Sequence, residues 1–279
     1  MAKEILMSNK ITVPITDAVA DTLFITLYMR HLETQRKGGI INDPQASRLV
    51  ESIDYDFDKY TVFKKTQIGT SIRIRHFDRE ISRFVRENDN PVIVSLGAGL
   101  DTRFDRIYAG KGVFYELDLP EVISFRQQLL PQHESNPHMA ISMFDTQWIS
   151  EISNRHPNAQ FAILAEGVFM YFEEAQIKPL IKAIAEGFDK GELHFDACSS
   201  LGVKNTHRHE TVKLTKAKFL WAFDQDDILS TWNSKLHYVD TSYFMNQERL
   251  RWGLTGFFFS MIPCVRSMFR MVHYKIIPR

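Results

Sequence analysis

Two glycines stand in this chain where a backbone could hold a small ligand. Residues 95–101, with the sequence SLGAGLD, place Gly97, Ala98 and Gly99 directly after an apolar run and end on Asp101. Because glycines lack side chains, we expect this glycine turn to let the backbone approach a cofactor closely. The third glycine of the dinucleotide fingerprint is missing, which favours a cofactor without a pyrophosphate. A purely structural tight turn is the alternative.

Acidic residues follow the next apolar runs of the chain. Glu116 and Asp118 close the second run, Asp145 follows the third, and Glu166 follows the fourth. The carboxyl ends of parallel strands meet at one edge of an open α/β sheet, and ligands bind there. An ionised carboxylate only accepts hydrogen bonds and can engage two neighbouring hydroxyls, so Glu116 and Asp118 are predicted ribose ligands. A solvated pair at the strand end is the alternative.

The runs that position these residues alternate with helical patterns. Short apolar runs of this kind are typical of parallel strands that are covered on both faces. They predict an α/β fold with a doubly wound, mostly parallel sheet. The predicted strands are residues 92–96, 113–117, 139–144, 161–165, 193–197, 235–244 and 271–277, and the predicted helices are residues 17–37, 70–88, 120–130 and 173–188.

Four segments follow from this pattern. We expect a helical N-terminal cap (1–90), a Rossmann-like cofactor-binding core (91–198), an inserted helical lid (199–234) and C-terminal strands that complete the core (235–279). The amphipathic stretch 211–223 of the lid predicts a helix. Its apolar side chains could line an acceptor pocket or pack on the core; they are Leu214, Phe219, Leu220, Trp221 and Phe223. Residues 253–261 are too short to span a bilayer and are predicted to form a buried helix.

The charge balance and the number of cysteines limit the kinds of partner and metal site that the chain is expected to have. Lysine plus arginine and aspartate plus glutamate number 34 each, so no net positive field favours nucleic acid or an acidic membrane as a partner. Residues 1–8 lack the pattern of a secretory signal. Cys198 and Cys264 are too few for a disulfide framework or a four-cysteine zinc site and are expected in the core. We therefore expect a cytoplasmic protein; the oligomeric state stays open.

The motifs together resemble the leucine carboxyl methyltransferase family, and its bacterial polyketide O-methyltransferase branch most closely. The resemblance rests on SLGAGLDTRF at 95–104, YELDLP at 115–120 and AEGVFMYF at 165–172, and extends from about residue 29 to about 188. It implies a class I methyltransferase that uses S-adenosylmethionine. The lid and the C-terminal part from residue 199 do not follow the family pattern, so the resemblance does not identify the substrate.

The resemblance also implies site residues. Gly97 and Gly99 would cradle the methionine part and Asp118 the ribose, with Asp145 and Thr146 near the adenine and Glu166 at the methionine end. Arg73 matches the arginine that binds the cofactor carboxylate, which a guanidinium fork can hold through two hydrogen bonds. Arg75 is its rival, and a solvated basic helix face is the alternative for both.

The acceptor side is less defined. The branch implies O-methylation of a carboxylate or acidic hydroxyl of a small molecule, for which positioning suffices when the acceptor is already ionised. Candidate catalytic residues are Tyr171, His207 and His209. Histidines two positions apart do not share a helix face, so no metal is expected there. Methylation of a protein C-terminus, a nicotinamide-dependent oxidoreductase and a non-catalytic cofactor-binding regulator are the alternatives.

Overall fold

The structure, a computed structural model, describes residues 10–278. The expectation that residues 1–8 carry no export signal, and the outermost limits of the first and last predicted segments, lie outside this range.

A seven-stranded sheet organises the chain in the order β5-β4-β3-β6-β7-β9-β8. The first five of these strands pair in parallel, and β9 and β8 pair antiparallel to their neighbours. The predicted doubly wound, mostly parallel sheet and its seven strands are confirmed. The strands are β3 (Pro91–Leu96), β4 (Val113–Asp118), β5 (His138–Ala140), β6 (Gln160–Ala165), β7 (Gly191–Cys198), β8 (Leu236–Tyr243) and β9 (Phe269–Ile276), and a separate short parallel pair joins β1 (Ile11–Thr12) to β2 (Ile53–Asp54).

Helices cover both faces of the sheet. In chain order they are α1 (Leu23–Thr34), α2 (Pro44–Ser52), α3 (Lys64–Glu87), α4 (Arg103–Ile107), α5 (Pro120–Leu129), α6 (Gln147–Arg155), α7 (Glu174–Gly187), α8 (Ser200–Lys204), α9 (Ile228–Trp232), α10 (Gly253–Ser260) and α11 (Pro263–Arg266). The predicted helices at 120–130 and 173–188 are confirmed within one residue at each end. Apolar side chains from both faces of the sheet form two adjoining cores, and α3 supplies one of them.

The N-terminal part differs from prediction at α2. The Asn-Asp-Pro sequence at residues 42–44, which is also typical of a turn, starts a helix here. The Asp43 side chain accepts a hydrogen bond from the Ala46 backbone N–H at 3.0 Å, and Pro44 occupies the first helical turn. Aspartate as an N-cap followed by proline is as typical of a helix start as of a turn.

The segment 199–234 contains short helices and turns joined by extended chain. The predicted amphipathic helix at 211–223 is wrong, because only Val212–Leu214 form a helical turn there. Phe219, Trp221 and Phe223 are buried, whereas Leu220 and the preceding Lys218 are exposed and Ala222 is half-buried, so the burial alternates with the period of two of an extended chain.

The prediction of a buried helix at 253–261 is also wrong. Residues Gly253–Ser260 do form helix α10, but Leu254 is 81% exposed and Phe258 is 63% exposed. Cys264 just beyond it is exposed, against the expectation, whereas Cys198 is buried as expected. Within residues 10–278 no helix is both long enough and apolar enough to cross a membrane.

Candidate cofactor site

The glycine turn connects β3 to α4 at the carboxyl edge of the sheet. Gly97 (φ 62°) and Gly99 (φ 50°) both have left-handed backbone conformations, which glycine adopts without steric cost. A Cβ added to Gly97 would lie 2.7 Å from Cγ2 of Val168. Position 97 therefore requires a glycine because of its backbone angle and because Val168 packs against it. This reason differs from the expected one, which was close approach of the cofactor to the backbone.

Buried arginines hold the carbonyl groups of this turn. Arg126 donates from Nη1 to the carbonyl oxygens of Gly99 (3.1 Å) and Asp101 (2.7 Å), and Arg30 donates from Nη2 to that of Leu100 (2.7 Å). Hydrogen bonds from charged donors are stronger than neutral ones. The three consecutive carbonyls are thus fixed by side chains from α1 and α5.

A second set of ion pairs ties the turn to α3. Arg103 binds Asp78 through Nε (2.8 Å), Asp101 through Nη1 (2.5 Å) and Glu166 through Nη2 (2.5 Å). Although burial alone would raise the pKa of Asp101, the guanidinium groups of Arg103 and Arg106 hold it well below its usual range. Asp101 is therefore ionised throughout the physiological range and fixes the end of the turn.

A cavity of about 250 Å³ opens in front of the turn. Its wall includes side chains from the N-terminal cap, such as Leu23, and apolar residues that follow β5, Met143 and Phe144. Seven of the predicted cofactor residues line it: Arg73, Gly97, Ala98, Gly99, Asp101, Asp118 and Glu166.

Asp118 ends β4 beside this cavity. Its Oδ2 accepts a hydrogen bond from the Gly99 N–H at 2.7 Å, and its Oδ1 accepts one from the Leu119 N–H at 2.7 Å. Burial raises the pKa of Asp118 to about 6, against the opposing effect of these two hydrogen bonds. The carboxylate is therefore mostly ionised at neutral pH and keeps lone pairs for a ligand.

Three predicted cofactor residues do not line the cavity. Glu116 is 1% exposed, accepts a hydrogen bond from Asn136 Nδ2 at 3.2 Å and lies 3.6 Å from Arg126, and burial raises its pKa. Its assignment as a ribose ligand is corrected, because its side chain is enclosed among other residues of the sheet. Asp145 and Thr146 lie one and two residues beyond Phe144, are exposed, and lead into α6.

The structure separates the two arginine candidates. Arg73 lines the cavity and pairs through Nε with Glu166 (3.1 Å) and through Nη1 with Asp196 (3.0 Å). Arg75 pairs with Glu248 at 2.6 Å on a partly exposed surface away from the cavity. Although burial lowers the pKa of Arg73, the two carboxylates raise it above its usual value, so the guanidinium is always charged.

The acceptor-side candidates Tyr171 and His209 lie close enough to Arg73 for its charge to act on both of them. Tyr171 is buried, and its ring centroid is 5.4 Å from that of Phe219, which is 5.5 Å from the ring of His209. Burial raises the pKa of Tyr171 to about 12, whereas burial and then the charge of Arg73 lower the pKa of His209 to about 4. Both groups are neutral at pH 7. His207 is exposed and lies outside this group.

The apolar side chains expected to line an acceptor pocket do not reach the cavity. Trp221 and Phe223 pack on Phe195, with ring centroids 6.1 Å and 5.3 Å away, and so belong to the core. Leu214 and Leu220 are about half exposed. Of the two alternatives for this segment, lining an acceptor pocket or packing on the core, Trp221 and Phe223 follow the second.

The sequence reasoning missed Asp196 and the arginines around the turn. Asp196 accepts the Gly167 N–H at 2.5 Å and orients Arg73. It lies near the carboxyl end of β7, so the rule that selected Asp118 and Glu166 would also have selected it. Arg30 and Arg126 carry no comparable pattern in the sequence, since they are far along the chain from the carbonyls they bind.

One buried group elsewhere has metal-binding residue types. Glu192, His194 and His273 offer ligand atoms within 4.8 Å of one another beneath α3. Arg83 already lies 2.6 Å from Glu192 Oε2. A guanidinium in this position supplies the positive charge that the carboxylate needs, so the group carries no metal assignment here.

The sheet order, the glycine turn at its carboxyl edge and the acid that ends the next strand are those of the class I S-adenosylmethionine-dependent methyltransferase fold. Two solved structures share this fold. A DUF574 family protein from Streptomyces avermitilis has a TM-score of 0.56 at 9% identity and covers 92% of this chain and 97% of its own. A putative S-adenosylmethionine-dependent methyltransferase from Listeria monocytogenes has a TM-score of 0.52 at 9% identity, covering 73% and 96%.

The leucine carboxyl methyltransferase family model matches residues 24–185, and the chain belongs to this family. It is 24% identical to the tetracenomycin polyketide synthesis O-methyltransferase TcmP of Streptomyces glaucescens, over 92% of this chain and 96% of that protein. It is also 24% identical to an S-adenosyl-L-methionine-dependent methyltransferase, dpfgK, of Gibberella zeae, over 90% of each. The chain is an S-adenosylmethionine-dependent methyltransferase, which sets aside the oxidoreductase and the non-catalytic regulator.

Proposed function

We propose that this chain transfers a methyl group from S-adenosylmethionine to an oxygen of a carboxylate or acidic hydroxyl on a small molecule. The observation that carries the proposal is the pair of neutral groups beside Arg73: the Tyr171 phenol, with a pKa of about 12, and the His209 imidazole, with a pKa of about 4. A protonated phenol and an imidazole this weakly basic do little to deprotonate an ordinary alcohol at neutral pH, which favours an acceptor that is already ionised. The full-length similarity to TcmP, a polyketide O-methyltransferase by name, supports the same class of reaction.

The cavity residues fit the cofactor part by part. Arg73 supplies a charged donor for the methionine carboxylate, and Asp118 supplies acceptors for the two ribose hydroxyls. Met143 and Phe144 supply an apolar wall for the adenine. When bound, the cofactor supplies an electrophilic methyl group on its sulfonium, so the work left to the chain is orientation and exclusion of water.

Arg73 also connects the cofactor side to the acceptor side. It lines the cavity, and its charge acts on both Tyr171 and His209. Because Glu166 and Asp196 balance this guanidinium, its charge alone does not select the acceptor, and hydrogen bonds have to hold the acceptor oxygen. Tyr171, which stays protonated, can donate a hydrogen bond to that oxygen and hold it in line with the methyl group.

The test is a panel of carboxylic acids, phenols, aliphatic alcohols and amines, incubated with the enzyme and methyl-labelled S-adenosylmethionine. We expect label only on the carboxylic acids or the acidic phenols. Treatment of the products with mild base distinguishes them, because methyl esters release methanol and aryl ethers do not. Label on aliphatic alcohols or amines, or label only on the C-terminus of a protein substrate, would overturn the proposal.

A further inference from the structure

Helix α10 and the residues on either side of it form an exposed apolar surface, here called the apolar tip (residues 250–262). Leu250 is 94% exposed, Leu254 81%, Phe258 63% and Met261 67%. Phe257, Phe259 and Ile262 between them are also exposed. Isolated exposed apolar residues are ordinary, but a contiguous group of large ones marks an interaction surface.

The helix of the tip is oriented opposite to an ordinary surface helix. Gly256 and Ser260, one turn apart, are its buried residues, while its leucine and phenylalanines point to solvent. A Cβ on Gly256 would lie 2.5 Å from Cβ of Trp252, so the glycine lets the helix sit directly on that residue. Surface helices normally turn their large apolar residues inward. Here the sequence places small residues inward and aromatic residues outward.

The tip is firmly attached to the rest of the chain. Arg251 pairs with the buried Glu33 of α1, with Nη2 and Oε2 2.9 Å apart. The Trp252 indole N–H donates to the Gln247 carbonyl at 2.9 Å, and the Trp252 ring packs against the core beneath α3. The exposed side chains are therefore held outward by fixed contacts at the base of the tip.

The tip does not cover the cofactor cavity. None of residues 249–268 is among the described residues that line that cavity. The tip nevertheless lies at the same edge of the sheet, because it connects the end of β8 to the start of β9, and Phe269 in β9 pairs with Cys198 at the carboxyl end of β7. Its exposed side chains face away from the protein and need a partner of their own.

Exposed cations lie near the tip. Residues 249–270 contain four arginines and no acidic residue, but Arg251 is paired with Glu33, and Arg270 is buried and lies 2.6 Å from Asp226. Arg249 and Arg266 are left for a partner. The neighbouring segment 204–218 exposes Lys213, Lys216 and Lys218, and its one acid, Glu210, accepts the Thr66 N–H at 3.0 Å. Just beyond this segment, the ring of Phe219 lies 6.0 Å from that of Phe269 at the start of β9. Arg249, Arg266 and the three lysines thus supply positive charge at the edge that carries the tip.

We propose that the apolar tip inserts into the headgroup region of an anionic lipid bilayer, with Arg249, Arg266 and the nearby lysines on the lipid phosphates. Apolar and aromatic side chains flanked by cations are the pattern of interfacial membrane binding, and the tip is far too short to span a bilayer. A second copy fits less well, because a two-fold interface would bring this cationic edge against itself. The expectation of no acidic-membrane partner rested on total charge, which hides this local imbalance.

The test is sedimentation of the purified full chain with vesicles of phosphatidylcholine alone or of phosphatidylcholine and phosphatidylglycerol in equal parts. We expect binding to the anionic vesicles only, weakened by salt. Leu254→Asp with Phe258→Asp should reduce the bound fraction by about tenfold or more. Ile277→Asp, an exposed residue at the opposite edge of the sheet, is the matched control and should bind as the wild type does.

Thermal unfolding and S-adenosylhomocysteine affinity establish that each variant is folded. Because the vesicle assay requires no turnover, its result is independent of the acceptor chemistry proposed above. Wild-type protein that stays in the supernatant with anionic vesicles would overturn the inference. So would a concentration-dependent dimer that the double variant abolishes while vesicle binding is unchanged, since the tip would then be a contact between copies.

Discussion

The two halves of the ligand edge are built in different ways. Around the glycine turn, arginines from separate helices bind three consecutive carbonyls, and an ion pair with Arg103 fixes the end of the turn at Asp101. From residue 199 onward the same edge consists of short helical turns, extended chain and the exposed apolar tip. Preorganised shells of this kind suit the binding of one fixed ligand, whereas loops with few mutual constraints suit variable recognition. The contrast predicts large effects of substitution on the cofactor half and small ones on the acceptor half.

The largest effect is expected at Gly97. An alanine there must adopt a left-handed backbone, at a cost of roughly 1–2 kcal/mol, and its Cβ would lie 2.7 Å from Val168. We expect Gly97→Ala to lower the affinity for S-adenosylhomocysteine about 100-fold, or roughly 2.7 kcal/mol, by calorimetry.

Gly110→Ala is the matched control. Gly110 also has a positive φ, of 79°, and no described atom lies within 4 Å of an added Cβ. The control should leave affinity unchanged. Adding Val168→Ala to Gly97→Ala removes the clashing methyl groups and should restore part of the affinity. Equal losses in the two single variants would show that strain alone, and not the packing of the turn, decides binding.

Arg73 is expected to give the next largest effect. Arg73→Ala removes a charged donor from the cavity and should weaken cofactor binding by roughly 1.5–3 kcal/mol, the range for hydrogen bonds to charged groups. Arg75 lies two positions further along the same helix. Arg75→Ala breaks only a surface ion pair and should change the free energy of cofactor binding by less than about 1 kcal/mol. Titration of both variants with S-adenosylmethionine measures the difference, and a larger loss in Arg75→Ala would reverse the assignment.

Asp118 should contribute somewhat less. Asp118→Asn keeps one acceptor oxygen but loses the charge, and we expect a loss of about 1–2 kcal/mol in S-adenosylhomocysteine affinity. Glu116→Gln, on the same strand but enclosed by Asn136 and Arg126, should leave affinity unchanged. If the second variant binds more weakly than the first, Glu116 and not Asp118 is the ribose ligand.

The same residue predicts a pH dependence. The pKa of Asp118 is raised to about 6, and the proposed contact with ribose hydroxyls needs its ionised form. Affinity should therefore be constant above neutral pH and fall as the pH drops through about 6. Asp118→Asn should remove this decline, which calorimetry at several pH values would show. A decline of unchanged size in the variant would assign the titration to another group.

The smallest effects are expected among the acceptor-side histidines. His209, buried with a pKa of about 4, is a weak base, so His209→Ala should lower kcat by less than about tenfold, well below the 10²–10⁴ of a working general base. His207→Ala, at an exposed position, should have no effect. Turnover of the acceptor found in the panel measures both. A loss above 100-fold in His209→Ala would make it the base and would remove the argument for an acceptor that ionises unaided.

Local pattern predicted the elements that are buried on both sides. Strands β3 and β6 are nearly continuous apolar runs, because helices cover both faces of the sheet. The glycine turn was recognisable because its two positive φ angles require a residue type that is visible in the sequence. Residues 218–223 alternate in burial, but only Lys218 among them is polar, so their sequence does not show the period of a strand.

Orientation was the part that local pattern could not supply. Helix α10 was predicted as a helix, yet which of its faces meets the protein depends on Trp252 and on the small size of Gly256 and Ser260. In the same way, Glu116 and Asp118 share one strand, but only the packing around Asn136 decides that the first is enclosed while the second borders the cavity.

By itself, the sequence determined the sheet, the turn and the chemical types placed at its edge, because these depend on runs of neighbouring residues. Only the tertiary structure decided which charges meet. Arg126 reaches carbonyls 25 and 27 positions before it, and Arg73 meets carboxylates 93 and 123 positions after it. Such pairs leave no periodic trace in the chain, because their partners are brought together by the packing of helices on the sheet and not by their spacing.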